Sequence, residues 1–337
     1  MKMKKKLLLL SLVLVLVLTT AACGNGGGNG DGNVGPEFTI RFAHAENEYT
    51  ATAMGVRVFQ RLVEEYSEGR IAVEVHGAMA LGDERQILES VIMGQLEAGL
   101  IMSALMTTYL DNWNVSDLPF AFVDRDDWTE KISGELGDIL AEEARGINLH
   151  ILNFFDGGFR AIANNVRPVY QLSDLAGMDT RVGQSPLLLA IHSALGTNPI
   201  AMAFGEIYTG LQLGTIEAVE TAIIYIVDGN FHEVTDYLTL TNTTALQMIT
   251  MMNLDFYNSL PPDLQAVIDR ATAETFIEQR RLAIELDIEA LEIISNAGVQ
   301  IHTPSPEFMQ EMKDVTAGVV EQFRAGINPR LVELVGF

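Results

Sequence analysis

The chain has 337 residues, of which 48% are hydrophobic, and its formal net charge is −24. This length is typical of more than one lobe, and the apolar fraction excludes a disordered chain. The negative charge argues against nucleic acid, whose phosphates need a basic surface, and against anionic lipid. One cysteine excludes an intrachain disulfide and a multi-cysteine metal site.

Residues 1–22 have the three-part pattern of a secretory signal peptide. The first six residues contain four lysines, residues 7–18 are almost entirely apolar, and small side chains follow. A transmembrane helix is the alternative, but this run is shorter than the roughly 20 residues that a span requires. The pattern therefore predicts a leader that is removed from the mature protein.

The single cysteine, Cys23, directly follows this leader. The segment LTTAACG around it resembles a bacterial lipobox, in which the cysteine receives lipid and becomes the mature N-terminus; a spare thiol is the alternative. Residues 23–36 are rich in glycine and asparagine and are predicted to form a flexible tether. Lipid attachment at Cys23 predicts an extracytoplasmic protein that is anchored to the cell membrane, at the cell surface or in the periplasm.

Strand and helix patterns alternate along the rest of the chain. Residues 38–44 and 71–76 alternate as strands do, and residues 52–68 between them have apolar side chains at helical spacing. Residues 84–98 form a second predicted helix. Such alternation predicts an α/β fold with a mostly parallel sheet. Further short strands are predicted around residues 100–103, 149–154, 181–182, 202, 219–220, 238–241 and 248–253.

The most distinctive predicted element is a long helix near the C-terminus. Pro261 and Pro262 precede it, Gly298 follows it, and residues 263–296 contain neither glycine nor proline. At 1.5 Å per residue it is roughly 50 Å long, which exceeds the width of about 30 Å of a small domain. The length predicts one helix beneath two lobes. A coiled-coil dimer helix is the alternative, although the apolar positions do not keep a strict heptad.

The sequence carries no recognisable catalytic or metal-binding motif. Its six histidines are scattered, and none forms the pair at helical spacing that a zinc hydrolase needs. Residues 183–187 begin like a nucleophile elbow but lack its closing glycine. We therefore predict no enzyme activity, no catalytic residue, no cofactor and no metal site.

Two arginines are candidates for binding an anion. Arg160 follows Gly157 and Gly158 after a predicted strand, and Arg181 lies within a strand-like segment. A buried guanidinium at Arg181 needs a partner, which is either an internal carboxylate or the carboxylate of a ligand, since the planar fork of arginine fits both. The residues alone leave these two possibilities open.

A series of short motifs resembles the solute receptors of tripartite ATP-independent periplasmic (TRAP) transporters, the dicarboxylate-binding DctP family. The motifs follow the family order over roughly residues 37–325. They are RFAH at 41–44, SEGRI at 67–71, LGDE at 81–84, LPF at 118–120, GFR at 158–160, NNVRP at 164–168, DLAG at 174–177, LGTNP at 195–199, MAFGEIY at 202–208 and LQLG at 211–214.

The resemblance implies a two-lobed, periplasmic-binding-protein-like α/β fold, with the long C-terminal helix underlying both lobes. A cleft between the lobes would close on an organic acid. Lobe I is expected over residues 37–157 plus about 247–286, and lobe II over residues 158–246 plus about 287–337.

The resemblance also implies which residues bind the ligand. Arg181 stands where the family has an arginine in bidentate contact with the ligand carboxylate. Arg160 matches a second arginine that often lines the site, and Phe204 matches an aromatic residue that packs on the ligand.

Four further positions match residues that face the cleft, namely Gln184, Thr221, Ala45 and Met102. Thr221 is a departure, because many members have an amide in this segment, so the second half of carboxylate recognition differs here. Ala45 and Met102 fall where receptors for sugar acids carry polar side chains. Their presence implies fewer hydroxyl contacts and hence a smaller or more apolar acid.

The function implied by the resemblance is that of an extracytoplasmic solute receptor. It would capture a small organic acid anion, such as a sugar acid or a C4-dicarboxylate, and deliver it to the membrane permease subunits of an ion-driven TRAP transporter. We expect a monomer that does not bind nucleic acid. The alternatives are a receptor that feeds a sensor or chemoreceptor, a receptor for an ATP-driven importer, and a secreted α/β hydrolase.

Overall fold

The computed structural model describes residues 35–337. The predicted signal peptide over residues 1–22 and the predicted lipid attachment at Cys23 lie outside these residues, as does nearly all of the predicted tether over residues 23–36. None of the helices in the described range combines the length and the apolar character that a membrane span requires.

Strands and helices alternate through most of the described chain. The strands are β1 (Phe38–His44), β2 (Ile71–His76), β3 (Ala98–Met102), β4 (Leu149–Asn164), β5 (Asp179–Val182), β6 (Asn198–Ala201), β7 (Ala218–Ala222), β8 (Tyr237–Thr239), β9 (Ala245–Asn253) and β10 (Gln300–His302). The helices are α1 (Ala51–Tyr66), α2 (Glu84–Ile92), α3 (Arg125–Ile132), α4 (Glu135–Arg145), α5 (Pro186–Ala194), α6 (Ile207–Leu213), α7 (Ile223–Asp228), α8 (Leu254–Ser259), α9 (Pro262–Asn296), α10 (Pro306–Arg324) and α11 (Pro329–Leu334).

The strands form a mixed sheet in the order β2-β1-β3-β9-β4-β7-β5-β6, with β8 paired to β4 and β10. The outer strands pair in parallel, β1 with β2 and β3, and β5 with β6 and β7. The two central strands, β4 and β9, pair antiparallel with each other. Strand β4 also pairs antiparallel with β7, and β9 pairs antiparallel with β3. The prediction of a mostly parallel sheet is therefore wrong at the centre. A parallel pair joined by a helical crossover can be recognised from the strand–helix–strand pattern in the sequence. The antiparallel pairing of β4 with β9 cannot, because these strands are distant in sequence.

Strand β4 is longer than predicted and passes through both halves of the sheet. The sequence indicates a strand over residues 149–154, but the observed strand continues to Asn164 through Gly157 and Gly158. The pairing with β9 shifts register between Asp156 and Phe159, and Gly158 has a φ of 92°, as a bulge at this point requires. Because the strand continues beyond the bulge, it carries Arg160 into the centre of the molecule.

Helix α2 is shorter than the predicted helix over residues 84–98. It ends at Ile92, because Gly94 adopts a left-handed conformation with a φ of 69° and the chain then enters β3. At its start Asp83 caps the helix and accepts a hydrogen bond from the amide of Gln86. This cap places Glu84 in the first turn, next to the end of β3.

The predicted long helix is present as α9, with 35 residues and a length of roughly 50 Å. Its inward stripe begins with Leu264 and Ile268. Glu274 accepts a hydrogen bond of 2.6 Å from Tyr66 of α1, and further along Asp287 accepts one from Arg125 of α3. The helix thus packs against α1, β4 and α7, and the bond from Arg125 ties it to α3. The exact division of the chain into lobe I and lobe II stays a prediction.

Candidate functional site

Two adjoining pockets lie where the ends of the central strands meet, and each spans about 340 to 370 Å³ of space that includes open solvent. Ala45, which follows β1, and Met102, at the end of β3, face Arg181 of β5 across them. The structure brings all seven predicted site residues to these walls. They are Ala45, Met102, Arg160, Arg181, Gln184, Phe204 and Thr221.

Arg181 is nearly buried, with 5% of its surface exposed, and it lines both pockets. Its Nε donates a hydrogen bond of 3.0 Å to the backbone carbonyl of Met202. Within residues 35–337 no carboxylate lies at ion-pair distance from its guanidinium. Burial lowers the pKa of Arg181 to about 10, so the group is still charged at neutral pH. Of the two possible partners for this arginine, the geometry therefore favours an external anion over an internal one.

Arg160 is completely buried and, unlike Arg181, it is paired inside the protein. Its Nη1 donates to Glu220 of β7 at 3.0 Å, and its Nη2 lies 3.8 Å from Asp117 and 3.2 Å from the sulfur of Met102. Burial raises the pKa of Asp117 to about 6, although the positive charge of Arg160 acts against the shift. The role of Arg160 as a ligand contact stays a prediction, since Nη1 and Nη2 already have partners, whereas its buried Nε has no hydrogen-bond partner in the described chain.

The remaining predicted residues shape the pocket walls. Phe204 packs edge-on against Tyr225, with ring centroids 6.0 Å apart, so its ring forms a fixed apolar wall. Gln184 accepts a hydrogen bond of 3.3 Å from Nε of Arg85 at the outer pocket. Thr221 is buried in β7 on the inner pocket, and its position is compatible with a polar contact to a ligand.

Sequence reasoning assigned no role to several polar residues of this site. Glu84 lines both pockets, Glu46 and Tyr225 line the inner one, and Arg85 lines the outer one. Glu84 lies within the LGDE motif, which is a usable signal, but nothing in the motif indicates that its side chain faces a cavity. Oε1 of Glu84 accepts a hydrogen bond of 2.7 Å from the amide of Met102, and burial raises the pKa of Glu84 despite this bond and the nearby Arg181.

Glu46 is buried at the centre of a hydrogen-bonded network. Its Oε1 accepts from the hydroxyl of Tyr225 at 2.8 Å, and its Oε2 accepts from Thr52 at 2.7 Å and from Thr50 at 3.0 Å. Burial raises the pKa of Glu46 to about 8, and these hydrogen bonds limit the shift. The network joins the segment after β1 to α7, so it links two distant parts of the chain beside the cavity.

We expect Glu46→Gln to change how stability depends on pH. The Glu46 carboxyl ionises near 4.5 in the unfolded chain but only near 8 in the folded protein, so the folded state holds an extra proton between these values. The contribution of Glu46 to stability is therefore lost progressively as the pH rises. Between about pH 6 and pH 7.5, the free energy of unfolding of the parent should fall by about 1.4 kcal/mol per pH unit relative to that of Glu46→Gln.

Urea denaturation of both proteins across this pH range measures the difference. The exposed Glu130, on α3, supplies the matched control Glu130→Gln, whose free energy of unfolding should depend on pH as that of the parent does. A difference between Glu46→Gln and the parent that does not vary with pH would show that Glu46 is ionised in the folded protein.

Residues 42–326 match the profile of the DctP family, described as bacterial extracellular solute-binding protein, family 7. The chain belongs to this family. The match spans most of the described range and includes every residue of the pocket walls named above. Among relatives, it is 27% identical over 265 residues to the 2,3-diketo-L-gulonate-binding periplasmic protein YiaO of Escherichia coli, covering 79% of this chain and 81% of that protein.

Solved structures of related receptors share the whole fold. The sugar acid binding protein DctPAm from Advenella mimigardefordensis, in complex with galactonate, has a TM-score of 0.86 and 28% identity, covering 90% of this chain and 97% of that one. A TRAP periplasmic solute-binding protein from Sulfurospirillum deleyianum with bound succinate has a TM-score of 0.85 and 27% identity, covering 89% and 98%. The predicted TRAP receptor fold, with its long C-terminal helix, is thereby confirmed.

Proposed function

We propose that this protein is an extracytoplasmic receptor that captures a small organic acid anion and delivers it to a TRAP-type, ion-driven permease. The observation that carries the proposal is the state of Arg181. Its guanidinium is charged and nearly buried, it lines the inner pocket, and no carboxylate of residues 35–337 lies within ion-pair distance of it. A buried charge without a partner is costly, so a ligand carboxylate would complete the site.

The ligand is a small carboxylate, in keeping with the galactonate and succinate found in the related structures. Met102, Phe204 and Ala45 present mainly apolar surface to the cavity, which favours a compact acid with few hydroxyl groups. The cleft closes over the ligand as lobe I and lobe II approach each other, and the binding energy stabilises the closed form.

The receptor makes and breaks no bond in its ligand. This expectation is supported by the family, which consists of solute-binding proteins. The experiment is to purify the protein, release whatever has co-purified and identify it by mass spectrometry. The recovered acid, added back at 100 times its dissociation constant, should stabilise the fold by about 2.7 kcal/mol and should be recovered unchanged after prolonged incubation.

Two results would contradict this proposal. If no organic acid co-purifies, and none in a thermal-shift screen stabilises the protein, it is not an organic acid receptor. If the purified protein converts the acid stoichiometrically into another compound, it is an enzyme.

Lipid attachment at Cys23 would hold the receptor at the membrane surface, beside the permease. In a bacterial host that processes lipoproteins, Cys23→Ser should move the protein from the membrane fraction to the soluble extracytoplasmic fraction, because the lipid chains are lost. Fractionation followed by immunoblotting measures the distribution, and retention of Cys23→Ser in the membrane fraction would contradict the anchor.

A further inference from the structure

We propose that the ligand of this receptor carries one carboxylate and that the cavity selects against acids with a second one. The inference rests on the proposed function and narrows the chemical class of its ligand. It follows from the number of charges that remain unpaired around the inner pocket.

The inner pocket offers one positive charge that a ligand can use. Two arginines line it, Arg160 and Arg181. Arg160 is neutralised by Glu220 at 3.0 Å and by Asp117 at 3.8 Å, all three groups being buried. Arg181 has no such partner in the described chain, so its guanidinium is available to a single carboxylate. One planar fork matches one carboxylate in bidentate geometry.

The other ionisable groups of the inner pocket are acids and a phenol. Glu84 lines both pockets, and Oε1 accepts the hydrogen bond from the amide of Met102. Within the described residues its Oε2 receives no hydrogen bond. Glu46 lies on the same pocket, where its two oxygens accept from Tyr225, Thr50 and Thr52. A second ligand carboxylate would thus meet a carboxyl group and no free cation.

Like charges that are brought together away from water repel, and binding sites use such repulsion to reject the wrong ligand. Glu84 would act in this way on a second carboxylate of the ligand. A neutral amide or hydroxyl at the same place would instead donate a hydrogen bond to the free Oε2 of Glu84. Glu84 is therefore the residue that sets the selectivity for ligand charge.

One arrangement would oppose this inference. Arg85 lines the outer pocket, where its Nε donates to Gln184 at 3.3 Å, and a long diacid could in principle extend from Arg181 to Arg85. Arg85 is only half-buried and shares the outer pocket with the half-buried Asp83, so its charge is partly screened by water and by an adjacent acid. The variant Arg85→Met tests this arrangement directly.

The first experiment counts the carboxylates of the ligand that co-purifies with the full chain. Methyl esterification followed by mass spectrometry should add one methyl group to this acid. Two added methyl groups would overturn the inference while leaving the proposed function intact. The absence of any acid would instead contradict the proposed function.

The second experiment compares acids of matched skeleton by calorimetric titration of ligand-free protein. The pairs are succinamate with succinate, glutaramate with glutarate, and galactonate with galactarate. In each pair that binds, the monocarboxylate should bind at least tenfold more tightly, which corresponds to about 1.4 kcal/mol. A dicarboxylate that binds as tightly as its partner, or one whose binding is lost in Arg85→Met, would overturn the inference.

The variant Glu84→Gln assigns the selectivity to its residue. Glutamine keeps an acceptor for the amide of Met102 but removes the negative charge, so the preference for the monocarboxylate should fall about tenfold through tighter binding of the dicarboxylate. Glu89, on the same helix but not on either pocket, supplies the control Glu89→Gln, which should leave the preference unchanged. An unchanged preference in Glu84→Gln would exclude Glu84 as its source.

Discussion

Arg181→Ala should abolish micromolar binding of the ligand while the ligand-free protein remains folded. Truncating one partner of a buried, hydrogen-bonded charge pair costs about 2–5 kcal/mol, a loss of roughly 30-fold to several thousandfold in affinity. The fold should tolerate the change, because Arg181 makes a single hydrogen bond to the carbonyl of Met202 and no internal ion pair in the described chain. Removing a buried charge that lacks an internal partner even relieves a desolvation cost.

Arg181→Lys should recover only part of the lost affinity. An ammonium group is a compact charge, whereas the guanidinium offers two parallel donors in one plane. Calorimetric titration with the identified acid measures both variants, and circular dichroism checks their folding. The exposed Arg57 of α1 supplies the matched control Arg57→Lys, which should bind as the parent does. If Arg181→Lys binds within threefold of the parent, the bidentate contact is wrong. If Arg181→Ala does not fold, Arg181 has a structural role.

Arg160→Ala should mainly lower stability, by about 3–5 kcal/mol. Removing one partner of a buried ion pair leaves an uncompensated charge, and here it leaves two, since Glu220 and Asp117 both face Arg160. The loss should be smaller at pH 5 than at pH 8, because the abandoned carboxyls can bind protons at the lower pH. Urea denaturation at both values measures the loss.

The control for this variant is a double substitution. Arg160→Met combined with Glu220→Gln removes a positive and a negative charge together, and it should be more stable than Arg160→Met alone because fewer charges are left unpaired. If Arg160→Ala instead loses ligand affinity with less than about 1 kcal/mol of stability, Arg160 is a ligand contact, as the family resemblance implies.

The sequence was sufficient to predict the class of fold, the long helix and the residues that meet at the cavity. The helix was predictable because residues 263–296 lack glycine and proline, so no local break competes with it. The cavity residues were identified through ordered family motifs and not through chemistry. Taken alone, Arg181 allowed two partners, and only its surroundings in the fold distinguish them.

Other features were not predictable because they depend on contacts between distant segments. Glutamate is ordinarily a surface residue, so nothing local in the sequence indicates that Glu46 and Glu84 line a pocket. Glu46 meets Tyr225, and Glu84 meets the end of β3, only in the folded protein. The pairing of Arg160 with Glu220 requires the register of β4 against β7. The extension of β4 through Gly157 and Gly158 could not be predicted from the sequence, because a glycine pair ordinarily marks a turn. In this strand the pair accommodates a bulge.

The position of β9 between β3 and β4 has a consequence for the order in which the protein can fold. During synthesis the N-terminal strands leave the ribosome well before residues 245–253, which provide the neighbour of β3, and before α9, which covers α1. Contacts of such large sequence separation form slowly, so nearly the whole chain must be made before the central sheet is complete. A nascent chain that stays open until late suits translocation across a membrane in the unfolded state, which is the route that the proposed leader would direct.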